Sequence, residues 1–386
     1  MDHLPPTVTD DDLLALLGSV LTVAPTPPAT ASIRLQFFRP GFPWQALVDL
    51  AVAHEVLPPL IFSLNDRSLL PPVPAKLDDE GRTAHVTSRL AAAYAEHLAR
   101  QADLQDQLIG TLAALNAQGM VPVLLKGALH LTMPQPSWHG SRAMRDIDLL
   151  VPAEDAARAH ALVASLGYQA DPNPPPLDRH LPELVKPGRA GTIEIHTDAL
   201  SFAATHALST AEVWQRAENR SFAGVRFKAL PPEWHVLHGL LHHQLSDRGH
   251  ARRMLAVKGL WEFARGGAVF SSAGWNAFFA HAEQRGILDM LSSWAVQANR
   301  LFGLEAPDML LEFAAGRRHA DATFRRARVA YGARQTLFVA DKLKFAFAPK
   351  TLALRYGEST AGAAALRHLG FLWRRRSQMV RRWLGR

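Results

Sequence analysis

Two carboxylates, Asp146 and Asp148, stand one residue apart in the segment Arg142-Ala-Met-Arg-Asp146-Ile-Asp148-Leu-Leu-Val151. The aliphatic residues around them predict a strand. Successive strand side chains point to opposite faces, so Asp146 and Asp148 project together while Ile147 and Leu149 turn into a core. Carboxylates sharing a face repel unless a cation sits between them. Mg²⁺ is the natural occupant, since it takes one or two carboxylates and completes its octahedron with phosphate oxygens; Mn²⁺ is the alternative. Such a pair serves phosphoryl or nucleotidyl transfer.

The neighbouring residues extend this chemistry. A predicted strand, Val121 to Leu125, runs into a turn at Lys126-Gly127-Ala128. Glycine there lets the backbone approach a phosphate, and successive N–H groups bind oxyanions. Lys126 either neutralises a triphosphate or turns sideways into a salt bridge. Arg142 offers a planar fork to a phosphate, or braces Asp146 or Glu194. Arg145 is expected at the surface. A further strand, Ile193-Glu194-Ile195-His196, sets Glu194 opposite its core-directed isoleucines, with His196 and Asp198 on the same face if the strand persists. Glu194 suits a metal ligand or an acceptor for the attacking group's proton. His196 orients Glu194, contacts a phosphate or pairs with an acid.

Lys126-Gly127, Arg142-x-x-x-Asp146-x-Asp148 and Ile193-Glu194-Ile195-His196 together resemble a family of largely uncharacterised bacterial nucleotidyltransferases in the polymerase-β-like superfamily. That superfamily combines a Gly-Ser or Gly-Gly turn, an Asp-x-Asp strand and a third acid on a neighbouring strand. The likeness continues upstream: Trp44 to His54, followed by Val56-Leu-Pro-Pro-Leu60, is similar to the family's N-terminal helical signature. The resemblance implies that Asp146, Asp148 and Glu194 are the catalytic carboxylates and metal ligands. It places Lys126, Gly127, Ala128, Arg142 and His196 at the nucleotide. The reaction implied is transfer of a nucleoside monophosphate from a nucleoside triphosphate to an acceptor, with release of pyrophosphate.

Two departures qualify the pattern. Ala128 stands where the superfamily has Ser or Gly, so a hydroxyl contact is lost while the backbone amide remains. The segment Arg253-Met-Leu-Ala-Val257-Lys258 lacks an Asp that the family often carries there. The acceptor is open among a small molecule, a peptide or protein, and an RNA end. A sharper variant is a toxin-like enzyme acting on tRNA, because phage-defence nucleotidyltransferases share a similar Lys-Gly and Asp-x-Asp pattern. The rival from another class is a catalytically inactive nucleotide-binding scaffold.

Four histidines crowd one helical stretch: His235, His238, His242 and His243. The first three fall on one helical face. With no cysteine partner and no His-Glu-x-x-His pattern, they are expected to line the cleft or pack against the catalytic domain rather than hold zinc.

The elements that must position these groups fit an α+β fold: a small mixed-sheet core of the polymerase-β type, flanked by helical regions. Its expected divisions are residues 1–118 (helical), 119–230 (the α/β core) and 231–386 (helical, with a basic tail). Helices are predicted over Asp10 to Leu21, over 42–64 with a break at Pro58-Pro59, and over Asp78 to Gln118, where Leu104, Leu108, Leu112 and Leu115 recur at helical spacing. The Pro/Thr/Ala stretch up to residue 30 is expected to be a linker. Gly119 is a C-cap candidate. Pro152 opens a helix reaching Leu166, Asp171 to Pro176 is a loop, and residues 183–198 are two strands joined by a Gly-rich turn. Beyond Phe227 the pattern is helical.

At 386 residues with 48% hydrophobic content, the chain suits two or three domains and has ample core. It contains no cysteine, which excludes disulfides and thiolate chemistry and fits a cytoplasmic location. No signal peptide or membrane-spanning run is expected. The net charge of +7 is unevenly spread: from Arg317 onward there are 17 Lys/Arg against 3 Asp/Glu, a net of +14, which leaves −7 for residues 1–316. Such a tail attracts a polyanion, nucleic acid or an anionic membrane surface, or merely solvates a helix. Trp373 and Trp383 among its arginines fit a membrane interface.

Overall fold

A computed structural model of the chain describes residues 10–39, 41–70, 82–133, 141–170 and 179–327. The basic tail with Trp373 and Trp383, most of the Leu70–Pro74 break and the Asp171–Pro176 loop lie outside the described residues. The fold is α+β, with a seven-stranded mixed sheet set among helices.

The strands are β1 (Val123–Leu124), β2 (Asp146–Leu150), β3 (Gln169–Ala170), β4 (Leu184–Val185), β5 (Thr192–His196), β6 (Glu218–Phe222) and β7 (Val225–Ala229). They lie in the order β3-β4-β5-β2-β1-β7-β6. The central pair, β2 and β5, is parallel, with Ile147 opposite Ile193, Asp148 opposite Glu194 and Leu149 opposite Ile195. Alternation therefore sorts both strands alike. Ile147, Leu149, Ile193 and Ile195 are fully buried in one apolar cluster with Leu104, Leu108, Leu112 and Leu115 of the 36-residue helix Arg82–Ala117. Each of these side chains contributes roughly 2 kcal/mol by leaving water. The opposite face carries Asp146, Asp148, Glu194 and His196.

Several predicted elements are found nearly as expected: Asp10–Val20, the long helix ending before Gly119 at φ +76°, and β4 and β5 joined through a turn. The helix from Pro152 begins as a short turn, Ala153–Asp155, and continues as Ala156–Ser165. Other expectations need correction. The helix Pro27–Phe37 begins inside the supposed linker, because Thr26 caps it by accepting from the Ala29 N–H and Pro27 presets the first turn. Its Ile33 and Phe37 are buried. Pro58 and Pro59 start the helix Leu57–Asp66 rather than breaking one, since their missing N–H groups fall where no intrahelical bond is due. The hairpin β6–β7 was not foreseen; its two-residue turn, Ala223-Gly224, has positive φ at both positions, as a type I′ turn requires. The alternation of Val225, Phe227 and Ala229, all buried, was its one sequence signal.

A second apolar cluster joins the N-terminal helices to the helices that follow the sheet, through Leu47, Leu60, Leu240, Phe263 and Trp294 among others. Val123, Leu125 and Leu150 belong to it, so the site-bearing face of the sheet also meets a packed helical layer. No helix among the described residues is long and apolar enough to cross a membrane.

Candidate active site

Register alone brings Asp148 and Glu194 side by side, and His196 completes the group. His196 Nε2 lies 2.8 Å from Asp148 Oδ1 and 3.1 Å from Glu194 Oε2. Asp148 and His196 are inaccessible to solvent, and Glu194 is nearly so. Ligating atoms of the three lie within 4.8 Å of one another. Lys126 Nζ reaches Asp148 Oδ1 at 2.8 Å. The other carboxylate oxygen, Asp148 Oδ2, is buried and accepts no hydrogen bond.

The electrostatics follow from that geometry. Burial would raise the Asp148 carboxyl, but Lys126 and His196 outweigh it and hold it well below the usual range. Burial likewise opposes ionisation of Glu194, and the bond from His196 overcomes it, so Glu194 is also lowered. His196 is raised: burial disfavours its charge, but both carboxylates favour it more. Asp146 goes the other way, raised by burial and by the charge of Asp148.

Asp146 also differs in position. It lies in the wall of a cavity of about 720 Å³ that runs from Lys126, Arg142 and Asp146 to the helices Pro232–Leu241 and Val257–Gly267. That volume falls in the range of small-molecule sites. Its wall is mixed. Leu230, Leu240 and Phe263 are apolar, and Lys126, Arg220 and Lys258 bring positive charge. His130 and His235, with ring centroids 5.5 Å apart, also face it. Burial and the charge of Arg142 push both imidazoles down, His235 to about 4.

The expectations for Gly127 and Ala128 in the turn are corrected. Its left-handed residue is Lys126, at φ +43°, rather than Gly127, which lies inside the five-residue helix Lys126–His130. A non-glycine residue is strained there; the ammonium anchored on Asp148 helps to hold it. Gly127 is needed for space: a Cβ would collide with the Arg142 guanidinium and the Met144 side chain. Ala128 is buried in the apolar cluster, and its N–H donates to Leu125 O at 3.0 Å, so neither side chain nor amide is presented to a phosphate.

Arg142 braces neither Asp146 nor Glu194. Its Nε lies 3.0 Å from Glu262 Oε1, and its Nη2 donates to Glu262 Oε2 at 3.3 Å. Gln101 of the long helix donates to the Arg142 carbonyl at 3.1 Å and fixes the approach to β2. Burial would raise Glu262, but Arg142 and Lys258 bring it down to about 2. Lys126 forms the salt bridge to Asp148, and Arg145 is exposed as expected, paired with Glu55. Of the histidines, His235, His242 and His243 line the cavity, while His238 is buried with its Nε2 2.8 Å from Ala199 O.

Glu262, Glu55, Lys258, His130 and His180 were missed by sequence reasoning. Glu55 accepts from Lys258 at 3.0 Å, and His180 Nε2 lies 4.0 Å from Glu194 Oε2. The spacing of Lys258 and Glu262, four apart on a helix, was a usable hint that they share a face.

A family described as uncharacterised nucleotidyltransferase matches residues 40–303, which take in the helix Leu57–Asp66, the long helix, the whole described sheet and both cavity helices. The chain belongs to that family. No curated protein and no solved structure matches it. The match covers all the residues of the carboxylate cluster and of the cavity wall, so family membership and geometry bear on one site, and membership supports a transferase acting on a nucleoside triphosphate.

Proposed function

We propose that this family member is a divalent-cation-dependent nucleotidyltransferase, moving a nucleoside monophosphate from a nucleoside triphosphate to an acceptor and releasing pyrophosphate. The observation that carries this is Asp148 Oδ2, a buried carboxylate oxygen with no hydrogen-bond partner beside Glu194 and His196. An unpaired buried carboxylate oxygen is costly unless a cation takes it up. The donor set fits Mg²⁺ or Mn²⁺ through its carboxylates. Asp146, Asp148 and Glu194 would hold the ion, and it would supply charge neutralisation for the triphosphate and the departing pyrophosphate.

The chain's own residues do the rest. Lys126 places positive charge where the cavity meets Asp148, suited to the triphosphate. Lys258 and Arg220 add cations along the wall, and Leu230, Leu240 and Phe263 offer an apolar surface to a base. Arg142, spent on Glu262, positions the approach to β2 rather than gripping phosphate directly. The acceptor oxygen forms its bond to the α-phosphorus as the bond to pyrophosphate breaks. Asp146, which lines the cavity, would hold the ion from the side on which the acceptor enters.

The test is pyrophosphate release from each of the four nucleoside triphosphates with Mg²⁺ or Mn²⁺, in fractionated cell extract. Release by the wild type that disappears in Asp146→Asn and Asp148→Asn is expected, and labelled product then identifies the acceptor. Metal-dependent nucleotide binding without release in any fraction would replace transfer with the scaffold role.

A further inference from the structure

Where the helix Pro232–Leu241 ends, the chain makes a wide π-type turn, His242–Ser246. The Asp247 N–H closes it by donating to His242 O at 2.9 Å. In a regular helix, adjacent side chains diverge. Here, His242 Nδ1 lies 3.3 Å and His243 Nδ1 3.7 Å from a single atom, Asp247 Oδ2. We propose that His242, His243 and Asp247 form a second metal site, separate from the carboxylate cluster, that takes a borderline-soft ion of the zinc class.

The distances fit that chemistry better than hydrogen bonding. Charge-assisted N–H···O bonds close to about 2.7–2.9 Å. Ligand atoms around a tetrahedral zinc, each about 2.0–2.1 Å from the ion, are separated by about 3.3 Å. The three ligating atoms lie within 4.8 Å of one another, close enough to share one ion after small side-chain rotations.

The rings are also held in place. Gly259, on the facing helix, leaves the space that the His243 ring occupies: a Cβ there would fall 2.7 Å from its Cδ2. Trp294 covers the same ring, with centroids 5.9 Å apart. The His242 ring stands edge-on to it at 5.8 Å. Fixed rings lose little freedom on binding, which favours the ion. Two imidazoles and a carboxylate leave the shell open, as in catalytic zinc sites. Because His242 and His243 line the cavity, that open position gives on to it, where an oxygen of a bound molecule can complete the shell. None of the three ligands belongs to the β2–β5 cluster, so the site does not depend on the nucleotidyl-transfer reading.

The test uses the full chain without a histidine tag, stripped with chelator and titrated with Co²⁺, whose visible absorption is intense in four- or five-coordinate sites and weak in octahedral ones. One equivalent with intense absorption, displaced by Zn²⁺, is expected in the wild type and equally in Asp148→Asn. Asp247→Asn and His243→Asn are each expected to weaken binding on the order of 100-fold. Circular dichroism establishes that the variants are folded, and Asp247→Asn, the partly exposed position, is the variant least able to disturb packing. Absence of intense absorption in the wild type overturns the proposal. So does absorption that survives Asp247→Asn and vanishes in Asp148→Asn, which would place the ion on the strand cluster.

Discussion

On β2 and β5 the chemistry comes from register: Asp148 faces Glu194 because Ile147 faces Ile193, and the buried isoleucines allow no slip. On the helices Pro232–Leu241 and Val257–Gly267 it comes from packing: Glu262 meets Arg142 across 120 residues of sequence, and Lys258 meets Glu55 across 203. In the strand half Asp148, Glu194 and His196 are shut from water and held by Lys126, whereas the helical half lines an open cavity of mixed polarity. The strand half is therefore built to hold charge at a fixed point, and the helical half to receive a bound molecule. The two halves should fail differently when altered.

The largest effect is expected at Asp148. Asp148→Asn should lower kcat for pyrophosphate release on the order of 10³-fold with KM little changed, because it removes charge that acts on the reacting phosphate. Lys258→Ala, in the helical half, should raise KM by about tenfold and leave kcat nearly intact. Steady-state kinetics with the best nucleotide measures both. Equal effects on kcat would erase the division between the halves.

The next effect is on stability, where the halves meet. Glu262→Ala leaves the nearly buried Arg142 guanidinium without its carboxylate, and should cost about 3 kcal/mol in urea unfolding. Glu262→Gln keeps an acceptor oxygen and should cost less. Gly127→Ala attacks the same pair from the strand side, since its methyl displaces the guanidinium, and should cost about 2 kcal/mol. If Gly127→Ala costs nothing in the Glu262→Ala background, the two changes act through Arg142.

What was legible in the sequence divides along the same line. Asp146, Asp148, Glu194 and His196 were placed together because alternation in a strand is local and its period is two. Lys126 was legible as a cation near them, but which partner it takes depends on a backbone at φ +43° that no spacing predicts. Glu262 and Glu55 stayed hidden because each matters only through a partner distant in sequence. The histidines are a mixed case. Helical spacing grouped His235, His238 and His242, yet the π turn after Leu241 regroups His242 with His243 and Asp247. The hairpin β6–β7 was lost for another reason: four of the five residues of β6 are exposed, so one strand of the pair carries almost no pattern.

The smallest expected effect tests how dry the helical half is. His235 has its ring edge-on to His130, and burial, with the charge of Arg142, lowers it from 6.5 to about 4 against a weaker pull from Glu262. Between those values the unfolded chain holds a proton that the folded chain does not, so stability falls as pH drops from 6.5 to 4. His235→Gln should flatten that stretch by about one proton, read as the slope of unfolding free energy against pH. Glu262 acts in a lower window: its carboxyl is ordinary, near 4.5, when unfolded and about 2 when folded, so its contribution is lost as pH falls through that range. Glu262→Gln should flatten only the lower stretch. A His235→Gln slope equal to wild type would mean that His235 is protonated in the folded chain at pH 5, which requires water in the cavity wall around it. The helical half would then resemble a hydrated channel, and the contrast with the closed strand half would be sharper still.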